Sequence, residues 1–145
     1  KKAVEILLKI AGSDTNVKLA ETAVYALEDV LEEGQYIKVF QEIYNKSPHP
    51  EVREACLYEI ADLENKDAVK VLSEMAKKES DEEIRRKIVE ALGDTEMDEA
   101  VPVLLSTAKN DKSLKVRAAA VEALGNIGTP KAREALMEIL KEKDK

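Results

Sequence analysis

A repeat of 32 to 33 residues runs through the whole chain and is the feature that most limits how it can fold. One set of similar five-residue segments ends with an apolar residue at positions 27, 60, 92 and 124. A second set ends in the same way at positions 7, 40, 72, 104 and 136. Both sets advance by one step of 33 residues and then by steps of 32. Two registers with one shared period indicate a stack of repeated structural units.

Each register has the spacing of an amphipathic helix. In the second set, apolar residues recur at positions 1, 4, 5, 8 and 9, which lie on one face of a helix with 3.6 residues per turn. We call these the B helices and those of the first set the A helices. Thr129 is predicted to begin a B helix, and Ser80 and Asp81 are predicted to precede an A helix, with Ser80 and Glu83 in capping-box spacing. Residues 93–94 and 125–130 are predicted to separate A helices from B helices.

The A helices carry a recurring motif, Val-Arg-x-x-Ala-Val-x-Ala-Leu-Gly, which is clearest at residues 116–125 and nearly as clear at 84–93. Helix pairs of 32 residues with this motif resemble HEAT repeats, in particular the short subtype named for phycobilin lyases. The resemblance implies an all-α fold, a right-handed α-α superhelix whose B helices line the concave side and whose A helices form the convex side. In the family, the concave side usually binds protein.

The repeat register describes one HEAT-like domain that covers the chain. Residues 1–14 form a half repeat with a B helix alone, and complete repeats follow at 15–46, 47–79, 80–111 and 112–145. The first B helix has an apolar stripe that includes Ile6 and Leu7. Because a terminal repeat needs a polar outer face, we expect further repeats N-terminal to this helix in the parent chain.

Charge and residue counts exclude several classes of function. Thirty acidic and 23 basic residues give a net charge of −7, which opposes binding to nucleic acid. No apolar run reaches the roughly 18 residues that a membrane span needs, so we expect no membrane partner. The single cysteine excludes an intrachain disulfide and fits a reducing compartment, so we expect a cytoplasmic protein. One histidine and one cysteine cannot build a His/Cys metal cluster, and no glycine-rich phosphate loop occurs. The sequence therefore predicts no enzyme activity, no metal and no cofactor.

Three chemically suggestive features have simpler structural explanations. Cys56 occupies the small-residue position held by Ala23 and Ala120 in other repeats, which favours a buried core residue over a reactive thiol. His49 lies between two prolines and is predicted to be an ordinary exposed residue. The acidic run at 28–33 lacks the spacing of a calcium loop, so a solvated turn is the better interpretation.

Three arginines, Arg53, Arg85 and Arg117, occupy the same position in successive A helices. At about 100° of rotation per residue, this position lies inside the apolar arc of the helix, so we expect partly buried guanidinium groups that need acceptors. The candidate acceptors are carbonyls and acids of the turns, such as Asp62, Asp94, Glu79 and Asp111. We interpret the three arginines as a structural ladder between repeats, with ligand binding as the alternative.

The sixth and tenth positions of the B helices form a candidate partner-binding strip. Position 6, at about 140° from the first, should face solvent but often carries an apolar residue, and lysines recur at about 180°. The strip consists of Leu8, Gln41, Ser73, Leu105, Met137, Lys77, Lys109 and Lys141. Scattered surface apolar residues and lysines that complement helix C-termini are the simpler explanation. The alternative is a concave surface suited to an amphipathic or extended segment with acidic residues.

Two functional hypotheses remain. The first is a non-enzymatic scaffold that binds a partner protein or peptide on its concave B-helix face. The second, which the family resemblance implies, is a non-catalytic or accessory subunit of an enzyme such as a bilin-lyase-like complex. Enrichment in Glu and Lys with only two Gln is also typical of thermophilic proteins.

Overall fold

The computed structural model describes residues 1–143, in which nine α-helices alternate between the predicted B and A types. The B helices are α1 (Lys2–Ser13), α3 (Tyr36–Lys46), α5 (Lys66–Lys78), α7 (Val101–Asn110) and α9 (Pro130–Lys143). The A helices are α2 (Val17–Glu28), α4 (Pro50–Ala61), α6 (Glu82–Asp94) and α8 (Leu114–Ile127). Short 3-10 turns at Glu33–Gln35 and Asp98–Ala100 precede α3 and α7. The described residues contain no strand, so the predicted all-α fold class is confirmed.

The helices form two compact units, one of residues Lys1–Ile60 and one from Ala61 onward. In the first unit, α1 packs against α2 and α3. In the second unit, α5 packs against α6, α6 packs against α8, and α7 contacts both α8 and α9. Each unit is therefore built from A and B helices in contact, as in stacked helix pairs. The predicted grouping of all repeats into one domain stays a prediction.

The core consists of side chains at the predicted apolar positions. In the A helices, one position is fully buried in every repeat, at Leu27, Ile60, Leu92 and Leu124. Another A-helix position is buried at Val52, Ile84 and Val116, but Leu19 at the same position is 55% exposed. The difference arises because no earlier A helix within residues 1–143 covers that side of α2. Helical periodicity identifies the side of a helix but not the presence of a neighbour.

The structure corrects details of the predicted helix boundaries. Asp81, not Ser80, caps α6, and its carboxylate accepts a hydrogen bond from the Ile84 N–H at 3.0 Å. Gly93 does not separate two helices, because α6 continues to Asp94 and buries this glycine against α8. Gly125 also lies within α8, and the break inside the predicted segment 125–130 falls at Gly128, the C-cap of α8. The predicted helix start at Thr129 is confirmed, since its hydroxyl oxygen accepts a hydrogen bond from the Ala132 N–H at 3.3 Å.

Candidate interaction surface

The apolar and polar members of the predicted strip lie on B helices in both units. In the first unit, Leu8 on α1 and Gln41 on α3 are half-buried. In the second unit, Ser73 on α5 and Leu105 on α7 are also half-buried, whereas Met137 on α9 is 56% exposed. The Ser73 hydroxyl donates a hydrogen bond to the Val69 carbonyl within its own helix. A binding role for these residues stays a prediction.

The lysines of the strip differ in their surroundings. Lys77 and Lys141 are exposed, but the Lys109 ammonium lies 2.9 Å from Glu142 Oε1 and 3.5 Å from Glu138 Oε1. Hydrogen bonding to Glu142 is the main reason that the pKa of Lys109 is raised. Carboxylates of α9 therefore already offset the charge of one lysine, and its ion pairs link α7 to α9.

An open groove of about 740 Å³ lies in the second unit, between the C-terminal half of α5 and one side of α7. Its apolar lining consists of Ala76, Val89, Pro102 and Val103. Its uncharged polar lining consists of Ser80, Ser106, Thr107 and Asn110. Its charged lining consists of Lys77, Lys112, Glu79 and Glu99, together with Arg85 and Asp111. The groove shares Lys77 with the predicted strip and extends the candidate surface to a different side of α7.

Sequence reasoning missed the α7 side of this groove. Pro102, Ser106 and Asn110 follow one another at intervals of four residues and are exposed. The helical pattern places them on its polar side, and it therefore gives them no role in the core or in the predicted strip. These three residues could have been recognised in the sequence because none of them is charged. An exposed side of a helix without a charged residue is unusual in a chain that is 37% charged.

A buried ion pair lines one end of the groove. Arg85 Nε and Nη2 donate to the two carboxylate oxygens of Asp111 at 2.8 and 3.0 Å, and Nη1 donates to the carbonyls of Glu79 and Ser80. Burial acts to raise the pKa of Asp111, but hydrogen bonds from Arg85 and from the Ser113 N–H outweigh it and hold that pKa below the usual value. This pair joins α6 to the turn before α8.

The three ladder arginines have different partners. Arg53 Nε donates to the Ser47 carbonyl at 2.9 Å, and its guanidinium carbon lies 5.9 Å from the centre of the Tyr44 ring. Arg117 Nη1 donates to the Asp111 carbonyl at 3.0 Å. Asp62 and Asp94, two of the proposed acceptors, make no hydrogen bond to these arginines within the described residues. Within the described part of the chain, Arg85 is therefore the one ladder arginine with a bidentate link to a carboxylate of the next turn.

The isolated cysteine and histidine have structural surroundings. Cys56 is fully buried, and this burial is the main reason that the pKa of its thiol is raised to about 12. His49 is half-buried rather than exposed, and its Nε2 lies 3.1 Å from the Asp14 carbonyl oxygen. In residues 1–143, no group of three or more His, Cys, Asp or Glu is arranged to hold a metal ion. In the same residues, no helix is both long and apolar enough to cross a membrane.

The sequence and the structure were compared with those of known proteins. A family model of HEAT repeats matches residues 4–93 and 77–145. The solved structure of the complex of CpcE and CpcF of phycocyanin lyase from Nostoc sp. PCC7120 is similar, with a TM-score of 0.69 and 21% sequence identity over 97% of this chain and 88% of that chain. No curated protein sequence matches the chain. The HEAT-like solenoid fold expected from the sequence is confirmed, and at this identity the structural likeness shows the fold alone.

Proposed function

Because the chain belongs to the HEAT-repeat family, we propose that it is a non-enzymatic interaction module that binds a partner protein or peptide on its B-helix side. A fold of this kind serves many functions, so the argument depends on the site. The observation that carries it is the groove between α5 and α7, which combines an apolar lining with uncharged polar groups, two lysines and two glutamates.

The lining of the groove suits an extended peptide segment. Ala76 and Val103 offer apolar contact, while Ser106 and Asn110 offer hydrogen bonds to a peptide backbone. The ammonium groups of Lys77 and Lys112 would attract carboxylates, while Glu99, an acidic residue of the lining, lies 3.8 Å from the Lys66 ammonium. The expected partner segment therefore combines apolar side chains with acidic residues.

The chemistry of the groove also favours binding over catalysis. Its most buried ionisable groups are Arg85 and Asp111, and each satisfies the other. A general acid needs a carboxyl group whose pKa is raised toward neutrality, whereas the pKa of Asp111 is lowered. This carboxylate is therefore suited to hold the fold together and poorly suited to transfer a proton.

A peptide-display experiment tests this proposal. Random 12-residue peptides are selected on the immobilised chain, and the affinities of the selected peptides are compared between variants. Lys77→Glu with Lys112→Glu should weaken binding by about tenfold or more, because attraction becomes repulsion. The matched control is Lys115→Glu with Lys131→Glu, which makes the same charge change at exposed positions outside the groove. Equal losses in both pairs, or no loss in either, would contradict binding in the groove.

The predicted strip can be separated from the groove by a second double variant. Leu105→Asp with Met137→Asp changes the strip but leaves the groove lining intact. If the selected peptides extend onto the strip, this variant weakens their binding as well. If its affinity equals that of the unmodified chain, the strip residues are ordinary surface residues and binding is confined to the groove.

The alternative function is an accessory subunit of an enzyme such as a bilin-lyase-like complex. The observation that favours it is the structural similarity to a phycocyanin lyase complex, which extends over 97% of this chain. This alternative predicts association with phycocyanin, which sedimentation of the chain with purified phycocyanin would measure. Co-sedimentation would support the accessory role, and independent sedimentation of the two proteins would contradict it.

A further inference from the structure

The helix α7 differs from the other B helices along one exposed side. This side holds Pro102, Ser106 and Asn110, which are uncharged. The same three positions of the other four B helices hold eleven charged residues and one serine. On α5, for example, these positions are occupied by Lys70, Glu74 and Lys78. We call Pro102, Ser106 and Asn110 the charge-free row, and the repeat register shows that its lack of charge is particular to α7.

The contacts of the charge-free row within the fold do not explain its composition. At the positions of Ser106 and Asn110, α3 carries Glu42 and Lys46, which form an ion pair at 2.7 Å. Within the described residues, the Ser106 hydroxyl and the Asn110 carboxamide have no hydrogen-bond partner. An uncharged side chain costs less to remove from water than a lysine or a glutamate does. The charge-free row is therefore suited to be covered by another molecule.

The charge-free row has the length of a short extended segment. Asn110 follows Pro102 by eight residues. At 1.5 Å per residue of helix, the row is therefore about 12 Å long. An extended chain rises about 3.3 Å per residue, so about four residues of a partner would cover the row. Val103 of α7 and Ala76 of α5 line the same groove and offer these residues apolar contact.

Two lysines lie together at one end of the charge-free row. Arg85 joins the turn after α5 to the turn after α7, because it donates to the Glu79 carbonyl and to the Asp111 carboxylate. Lys77 lies in the last turn of α5 and Lys112 directly follows Asp111, and both line the groove. Neither ammonium group forms an ion pair with a described residue. The Glu79 carboxylate, at the same end, accepts a hydrogen bond at 3.0 Å from a backbone N–H of its own turn.

The opposite end of the charge-free row carries a carboxylate. Glu99 lies in the turn before α7, lines the groove and lies 3.8 Å from the Lys66 ammonium. A carboxylate of a bound segment would therefore be attracted to the end with Lys77 and Lys112 and would meet another carboxylate at the end with Glu99.

We propose that the charge-free row determines which segment the groove accepts. The segment belongs to another protein and places about four consecutive uncharged residues along the row, with a carboxylate beyond them at the end lined by Lys77 and Lys112. This inference rests on the proposed function. It adds the residues of α7 that exclude charge and the end of the groove at which the acidic residue lies.

Three substitutions at Ser106 test the charge-free row. The probes are peptides selected by display on the unmodified chain, and fluorescence anisotropy measures their affinities. Ser106→Glu restores the residue that α3, α5 and α9 carry at this position, so α7 should still fold. It should weaken binding by about tenfold, whereas Ser106→Gln, of nearly the same size, should weaken it by about twofold at most. Ser106→Lys should weaken binding by about fivefold, because its charge is also removed from water.

Glu74→Lys is the matched control, since Glu74 is exposed at the same position of α5 and does not line the groove. This variant should bind the peptides as the unmodified chain does. Circular dichroism checks that every variant retains its helices. Equal losses for Ser106→Glu and Ser106→Gln would reveal a steric effect and overturn the inference. Tighter binding to Ser106→Lys would also overturn it, because the row would then attract acidic residues and not exclude charge.

The position of the carboxylate is tested by a double-mutant cycle. The acidic residue that flanks the uncharged stretch of a selected peptide is changed to its amide, and the chain carries Lys112→Gln or Glu99→Gln. The losses from the peptide change and Lys112→Gln should together be smaller than their sum, because both remove one interaction. The effects of the peptide change and Glu99→Gln should add. Additive losses with Lys112→Gln would overturn the assigned position.

The outcomes also separate this inference from the proposed function. If Lys77→Glu with Lys112→Glu weakens binding and Ser106→Glu does not, peptide binding in the groove stands and the role of the charge-free row is overturned. If neither variant changes the affinity, the groove is not the binding site and both proposals are contradicted.

Discussion

The outer faces of α6 and α8 carry the same kinds of residue in different surroundings. Arg85 and Val89 of α6 are buried, and the turn before α8 supplies the Asp111 carboxylate that binds Arg85. Arg117 and Val121 of α8 occupy the same positions and remain partly exposed. The difference shows that the repeat places a residue type at each position, whereas the neighbouring helix determines whether that residue stabilises the fold.

Each helix is therefore a control for the other. One substitution can be made at the covered and at the uncovered copy of a position, with the same change in side chain and nearly the same change in helix propensity. The difference between the two effects then measures the contribution of the neighbouring helix.

The largest difference is expected for the arginines. Arg85→Ala should lower the free energy of unfolding by about 2 to 3 kcal/mol, because it leaves the Asp111 carboxylate buried without its bidentate partner. Arg117→Ala should cost about 0.5 kcal/mol, because one partly exposed hydrogen bond is lost. Urea unfolding followed by circular dichroism measures both. Similar losses would show that the Arg85 ion pair adds little beyond its hydrogen bonds to carbonyls.

A smaller difference is expected for the valines. Val89→Ala should lower the free energy of unfolding by about 1.5 kcal/mol, because it removes two methyl groups from a fully packed site. Val121→Ala should change it by about 0.3 kcal/mol, since much of the side chain is already in water. The same urea titration applies. A loss at Val121 as large as that at Val89 would indicate that a second chain covers α8 in solution.

The smallest expected effect is a change in acid sensitivity. The lowered pKa of Asp111 means that its contribution to stability is present above the ordinary aspartate pKa of about 3.9 and is lost as the pH falls through the lowered value. Asp111→Asn should therefore be less stable than the unmodified chain at pH 7, and the gap should narrow at pH 3. Thermal unfolding at the two pH values measures it, and a constant gap would contradict ionisation of Asp111 as the cause.

Much of the fold follows from the sequence because helical periodicity reports directly which side of a helix is apolar. The alternation of A and B helices and the fully buried position at Leu27, Ile60, Leu92 and Leu124 were predicted in this way. The buried position of Cys56 also followed, since it replaces alanine at an equivalent site. These features depend on the local pattern of apolar residues and on the repeat register, and both can be identified from a single sequence.

The remaining features depend on contacts between helices. In sequence, Gly93 resembles a turn glycine, but in the structure it allows α6 to approach Ala123 of α8 closely. Both roles depend on the absence of a Cβ atom in glycine, so the sequence alone does not distinguish them. Lys109 was expected to be available to a partner, yet carboxylates of α9 reach it from the next B helix. The angular position of a residue on its own helix shows which side of the helix it lies on, but not which residues of neighbouring helices it contacts.

Paired alanine substitutions at the two glycines test most directly whether the neighbouring helix, and not the repeat position, determines stability. Gly93→Ala should lower the free energy of unfolding by about 1 to 2 kcal/mol, because the added Cβ must displace Ala123. Gly125→Ala should raise it by about 0.5 kcal/mol, because alanine favours a helix and its Cβ meets nothing within 4 Å. Urea unfolding of both variants should therefore give changes of opposite sign. Changes of the same sign and similar size would contradict the claim.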